Sequence, residues 1–124
     1  MKMKPETRPN QLNGVTIKTK TGYGTLYLTI NEMNEKPFEV FALIGKPGTS
    51  VTAKTEAIGR LVSLVLRSGI DVKEVIKQLK GIEGENSTYD GKNLIRSIPD
   101  AIAQVLERLY ITEKLTKEEE VIDA

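Results

Sequence analysis

Apolar residues in the first third of the chain fall at every second position. Val15 and Ile17 alternate with Thr16 and Lys18, which predicts a half-buried strand from Leu12 onward. Thr21-Gly22-Tyr23-Gly24 then reads as a tight turn, because two glycines accept the positive φ values a hairpin requires. In the second strand, Thr25–Ile30, the side chains of Leu26, Leu28 and Ile30 share one face, with Thr25, Tyr27 and Thr29 on the other. A polar loop, Asn31–Lys36, and Pro37 introduce a third strand, Phe38–Ile44. There Phe38, Val40, Ala42 and Ile44 lie opposite Phe41 and Leu43. Connections this short predict an antiparallel meander. Tyr27, Phe41 and Leu43 make the second face more apolar than solvent requires. Either the N-terminal arm covers it or it is a self-association surface, and period-two patterning does not choose between them.

From Gly45 to Gly69 the period lengthens. A Gly-Lys-Pro-Gly turn precedes three N-cap candidates, Thr49, Ser50 and Thr52. Ile58, Leu61, Val62 and Val65 recur at i, i+3, i+4 and i+7, and Ala57, Leu64 and Leu66 widen the stripe. So broad an apolar surface predicts a long central helix, buried on more than one side. Gly59 in its middle costs about 1 kcal/mol against Ala, so a close backbone neighbour is expected there. Gly69 fits the stop. Asp71 then caps a second helix with Glu74 three residues on, Ile70 stapling to Val75, and Val72, Val75, Ile76 and Leu79 inward. The turn-rich segment Ile82–Lys92 reads as the longest loop. Ser97 caps a third helix with Pro99 in its first turn, Asp100 at N3, and a stripe of Ile98, Ala101, Ile102, Val105 and Leu109. The expectation is an α+β fold: a three-stranded antiparallel β-meander followed by three helices, the first long and central. Residues 1–11 read as a flexible arm, 12–111 as one domain, and 112–124 as a charged, frayed tail.

Composition narrows the chemistry by what it lacks. The 124 residues contain no Cys and no His, which removes disulfides, thiolate nucleophiles, imidazole bases and nearly every zinc site. No metal or other cofactor is expected. A net charge of +1 gives no reason to expect nucleic-acid binding through bulk electrostatics. No apolar run approaches the roughly 18 residues of a membrane span. The segment MKMKPETRPN has no signal-peptide core, so a cytoplasmic location is expected.

The stretches GTLYLTINE, KPFEVFALIGKPG, TEAIGRLVSLVLRSG, VIKQLKGI and SIPDAIAQVLERL, read in that order, resemble the TSCPD domain. This is the C-terminal domain of cobalamin-dependent (class II) ribonucleotide reductases, also found as a free-standing small protein, and the similarity runs over roughly residues 12 to 110. Relatives usually carry cysteines where this chain has Ser50, near Gly84, and at Ile98; all three are absent here. A metal site or redox relay built on them is therefore not inherited, and no counterpart of the reductase's catalytic barrel is present. What the resemblance implies is a fold and a history near nucleotides, rather than a reaction.

The leading candidate site is Lys46, Gly48, Thr49, Ser50, Thr52 and Lys54. A glycine turn feeding a helix N-terminus offers N–H groups, hydroxyls and lysine charge to an anion. The P-loop spacing is missing, so a plainly capped helix is the competing reading. Arg60, Arg67 and Arg96 suit phosphate, although solvated helix arginines are common. Tyr89, with Asp90 and Lys92 in the long loop, could stack on a base or simply be surface. For catalysis, the acids considered are Glu56 and Asp100 near the helix starts, and no nucleophile–base pair is visible. No catalytic residue is assigned and no enzyme is expected.

Three functions are consistent with these residues. The first is a non-enzymatic module that binds or sequesters a small phosphorylated ligand of nucleotide type, as a homo-oligomer; a viral protein capturing a host nucleotide signal is one concrete form. The second is a protein–protein accessory docking on a class II reductase. The third is a structural oligomer with no ligand.

Overall fold

A computed structural model of the chain describes residues 4–45 and 48–115. Three strands come first: β1 (Asn13–Thr21), β2 (Gly24–Met33) and β3 (Lys36–Ile44). They form one antiparallel sheet in the order β1-β2-β3, the predicted meander. Helices α1 (Ser50–Arg67) and α2 (Val72–Leu79) follow. A small hairpin, β4 (Thr88–Asp90) and β5 (Asn93–Ile95), then leads to α3 (Ile98–Glu107), which continues into a π-helical turn over Arg108–Thr112. The architecture is α+β, a meander followed by helices.

Register explains why β2 anchors the core. Ile17, Leu28 and Ala42 stand in one cross-strand row, and Val15, Ile30 and Val40 in another. Leu26, Leu28 and Ile30 are completely buried. Each contributes about 1.5–3 kcal/mol relative to an exposed side chain. The connection between β2 and β3 is tighter than its polar composition suggests. Both strands extend to a two-residue turn in which Asn34 and Glu35 take φ of 55° and 63°, and a bulge at Asn31/Glu32 absorbs the extra residue.

α1 lies against β3. A Cβ added at Gly59 would stand 3.3 Å from the Val40 carbonyl oxygen and 3.4 Å from the Ala42 nitrogen, the close approach that the mid-helix glycine predicted. Four residues on, the Ser63 hydroxyl accepts from the Val40 N–H at 2.9 Å and donates to the Val40 carbonyl at 3.0 Å. A helix side chain thus satisfies backbone groups that an edge strand would otherwise leave open. The inward residues are Thr55, Gly59, Val62 and Leu66. Leu61, placed on the buried stripe by its spacing, is instead 63% exposed, and Leu64 is also outward. The sheet offers α1 one surface only, while α2 and α3 pack on each other, so the outer side of α1 has no cover among the described residues.

Residues 4–11 form no regular element but are tied at two points. The Glu6 N–H donates to the Arg67 carbonyl, and the Arg67 guanidinium donates back to the Glu6 carbonyl at 2.8 and 3.0 Å while standing over the Phe38 ring. Arg8 Nε donates to both carboxylate oxygens of Glu39, at 2.9 and 3.1 Å, and Asn31 adds a third bond. The arm therefore clamps one end of the sheet and leaves Tyr27, Phe41 and Leu43 exposed. Of the two sequence readings of that face, cover by the arm is not met by its described residues, 4–11.

Candidate functional site

The turn before α1 is built by left-handed glycines, Gly45 at φ +64° and Gly48 at φ +84°. Thr49 is the N-cap, and its hydroxyl oxygen accepts from the Thr52 N–H at 3.2 Å. The same hydroxyl donates to Thr52 Oγ1, which donates in turn to the Ile44 carbonyl at 2.6 Å. Both hydroxyls thus hold the helix start onto the end of β3. Ser50 and Lys54 are exposed on the first turns of α1. Lys46 lies outside the described residues. Arg60 is exposed and faces Glu56 at 3.5 Å along the helix. Arg67 serves the N-terminal arm, as above.

The other candidates sit elsewhere. The hairpin β4–β5 packs beside β1, where Thr19 Oγ1 donates to Asp90 Oδ2 at 2.9 Å. Gly22 admits the backbone of Asn86, since any Cβ there would collide with the Asn86 carbonyl. The 82–92 loop and its hairpin are thereby seated at the β1 edge. The α1 turn is at the β3 edge, two strand spacings or roughly 10 Å across the sheet. Arg96 and Tyr89 therefore belong to one location, and Gly48, Thr49, Ser50, Thr52 and Lys54 to another.

What organises the β1-edge location is Asp100, completely buried in the first turn of α3. Its Oδ1 accepts from the Gly81 N–H at 2.8 Å, and its Oδ2 from the Arg96 N–H at 2.9 Å and Gln104 Nε2 at 2.8 Å. Gln104 also donates to the Leu94 carbonyl, and the Ser97 hydroxyl caps α3 while donating to the Ile82 carbonyl. One carboxylate and two polar side chains so fix the end of α2, the hairpin and the start of α3.

Against this scaffold lies a groove of about 490 Å³. Lys80, Lys92, Arg96 and Arg108 line it, with Asp90 and Glu107 as opposing carboxylates and Asn93 and Gln104 among the neutral polar groups. Its size falls in the range of small-ligand sites, roughly 300–1,000 Å³. Lys80 Nζ is paired with Glu107 at 2.8 Å and Arg108 is 3.9 Å from Glu113. The Arg96 guanidinium stands 3.9 Å from Asp100, whose oxygens already accept three hydrogen bonds. Lys92 makes no ion pair among the described residues. A smaller recess of about 120 Å³ at Glu83, Gly84 and Ser87 shares Leu94 and Arg96 with it. Tyr89 pairs across the ladder with Leu94 and is largely exposed.

Sequence reading found Arg96, Tyr89, Asp90 and Lys92 but missed Lys80, Gln104 and Arg108. The signal was present: Asp100, Gln104 and Arg108 recur every four residues along one flank of the apolar stripe, from α3 into the turn that continues it. Among the described residues, no group of three acidic, Cys or His side chains could hold a metal, and no helix is long and apolar enough to cross a membrane.

Neither the curated proteins nor the solved structures searched give a match to the chain. The sequence model of the TSCPD domain does match, over residues 1–110, which is nearly all of the described fold. The chain belongs to the TSCPD domain family.

Proposed function

We propose that this TSCPD domain is a non-enzymatic binding module for a small phosphorylated ligand of nucleotide type, held in the groove at the β1 edge. The observation that carries this reading is the convergence of Lys80, Lys92, Arg96 and Arg108 on one concavity where, among the described residues, Asp90 and Glu107 are the lining carboxylates and Lys92 makes no ion pair. Arginine forks and lysine charge are the side chains that recognise phosphate. Arg96 is the anchor, because its own backbone is pinned by Asp100. Tyr89, on the same face of the hairpin as Leu94, supplies a ring on which a base can stack. The α1 turn is a weaker place for the phosphate, since the Thr49 and Thr52 hydroxyls are engaged in capping. A module that binds without turnover removes its ligand from circulation, which is a sequestering role. Exposed Leu61 and Leu64 on α1 favour association of copies through that helix.

The test is to denature the purified protein and identify released small molecules by mass spectrometry, with thermal-shift titrations of mono-, di- and cyclic nucleotides alongside. A stoichiometric nucleotide, or a shift that Lys92→Ala with Arg108→Ala abolishes, supports the groove. A shift untouched by that double variant but lost in Thr49→Ala moves the site to the α1 turn. An empty protein with no shift refutes ligand binding and favours docking on a reductase or a purely structural role.

A further inference from the structure

The face of the sheet turned away from α1 and α3 carries a pattern that the groove does not use. Lys18, Tyr27 and Leu43 stand side by side in one cross-strand row; Thr16, Thr29 and Phe41 form the next. Tyr27 and Phe41 thus lie on a diagonal of adjacent strands, 46% and 56% exposed. Lys20, beside Thr25, continues the basic edge along β1. Lys18 and Lys20 are both exposed and without an ion pair among the described residues. The acid on this face, Glu39, is buried and bound by Arg8 and Asn31, so its charge is compensated. A chain of net charge +1 therefore presents a locally basic sheet face with two open aromatic rings.

We propose that this face binds single-stranded RNA. Tyr27 and Phe41 stack successive bases, since every base has a π-face, and Lys18 and Lys20 meet the phosphates along the β1 edge. The hydroxyls of Thr25 and Thr29 flank Tyr27 along β2, and Thr29 shares a 2.8 Å hydrogen bond with Thr16; each keeps acceptor capacity for a ribose 2′-OH. Protein interfaces as a class are depleted in lysine, and here two lysines without an ion pair among the described residues run along the β1 side of the rings, where a line of phosphates would neutralise them. The proposal is independent of the groove and its ligand.

Fluorescence anisotropy of the full chain with a labelled ten-residue oligouridine tests it, alongside the DNA oligomer of matching sequence. Tyr27→Ala and Phe41→Ala are each expected to weaken RNA binding by roughly 5- to 100-fold, and Tyr27→Phe to retain it. Two phosphate contacts give a log–log salt slope of about −1.4, falling to about −0.7 in Lys18→Gln. Lys73→Gln, on α2, leaves the affinity unchanged. All these positions are exposed, and a melting curve for each variant confirms that it is folded. Absence of binding, or binding indifferent to the Tyr27→Ala, Phe41→Ala double variant, overturns the proposal. Equal affinity for the DNA overturns the assignment to RNA. Sedimentation showing self-association that Phe41→Ala dissolves, with no RNA bound, gives the face to a second copy instead.

Discussion

Asp100→Asn is the most informative single change in this molecule. The side chain is completely buried and accepts three hydrogen bonds, two of them from the backbone of Gly81 and Arg96. Asparagine keeps the shape but replaces one acceptor with a donor. In its better orientation the amide nitrogen takes the Oδ1 place and meets the Gly81 N–H, so two donors face each other and one bond is lost. The two surviving bonds become neutral. Bonds to a charged partner contribute about 1.5–3 kcal/mol and neutral ones about 0.5–1.5, with a further penalty for the buried Gly81 N–H. These terms exceed about 4 kcal/mol, but neutral asparagine also escapes the cost of burying a charge, so the net loss expected is about 2–4 kcal/mol, a large part of the roughly 5–15 kcal/mol that holds a typical domain folded. Chemical denaturation measures the loss, and amide hydrogen exchange localises it: Gly81 and Arg96 should lose protection ahead of β2. Asp100→Ala, which strands all three donors, should cost more. A stability within about 0.5 kcal/mol of the native chain, the scatter of a neutral surface change, would refute the keystone role assigned to this carboxylate.

Three further expectations follow from the same geometry. Arg8→Ala leaves the buried Glu39 carboxylate with Asn31 alone; because Arg8 is part-exposed, the expected loss in a urea melt is about 1–2 kcal/mol, and adding Glu39→Gln should recover part of it. Gly59→Val drives two methyls against the backbone of Val40 and Ala42, and should lower stability by about 1–3 kcal/mol despite the better helix propensity, as read from the melting midpoint. Burial raises the Tyr110 phenol well above its ordinary value, helped by its 2.7 Å bond to Glu32 and that carboxylate's charge. Its contribution is full below about pH 10, where the unfolded phenol is still protonated, and is lost progressively as pH rises above that. Tyr110→Phe should remove this alkaline slope from the stability curve.

Local chemistry decides which parts of the fold were legible in the sequence. The meander could be read because period-two patterning and short turns leave few alternatives, and the helix ends because Asp71, Ser97 and Gly69 announce them. The hairpin β4–β5 was missed, although Asp90-Gly91 is a hairpin signal and Gly91 takes φ +62° in its two-residue turn. Three-residue strands are too short for periodicity to register. The position of Leu61 went astray for another reason. Helical spacing gives the width of an apolar stripe, but which part of it is covered depends on the neighbours. The candidate site suffered the same limit. Arg96 and Thr49 each precede a capped helix and look alike in sequence, and only the strand order puts them at opposite edges of the sheet.

That separation bears on what the missing cysteines leave behind. In the resembling domains they stand at the positions of Ser50, near Gly84, and of Ile98. Ser50 opens α1 at the β3 edge, away from the other two. The other two lie on neighbouring segments, Gly84 facing Ser97, the residue before Ile98. The Gly84 N–H donates to the Arg96 carbonyl at 3.0 Å, and a Cβ on Gly84 would lie 3.4 Å from that of Ser97. A side-chain tie at this place would fasten the segment after α2 to the start of α3. Here hydrogen bonds do so, from Ser97 to the Ile82 carbonyl and from Gly81, Arg96 and Gln104 to Asp100. The segment thus keeps its position without sulfur, and so does the basic groove whose wall it forms. A chain with no cysteine thus holds, by hydrogen bonds alone, the surface on which the proposed binding depends.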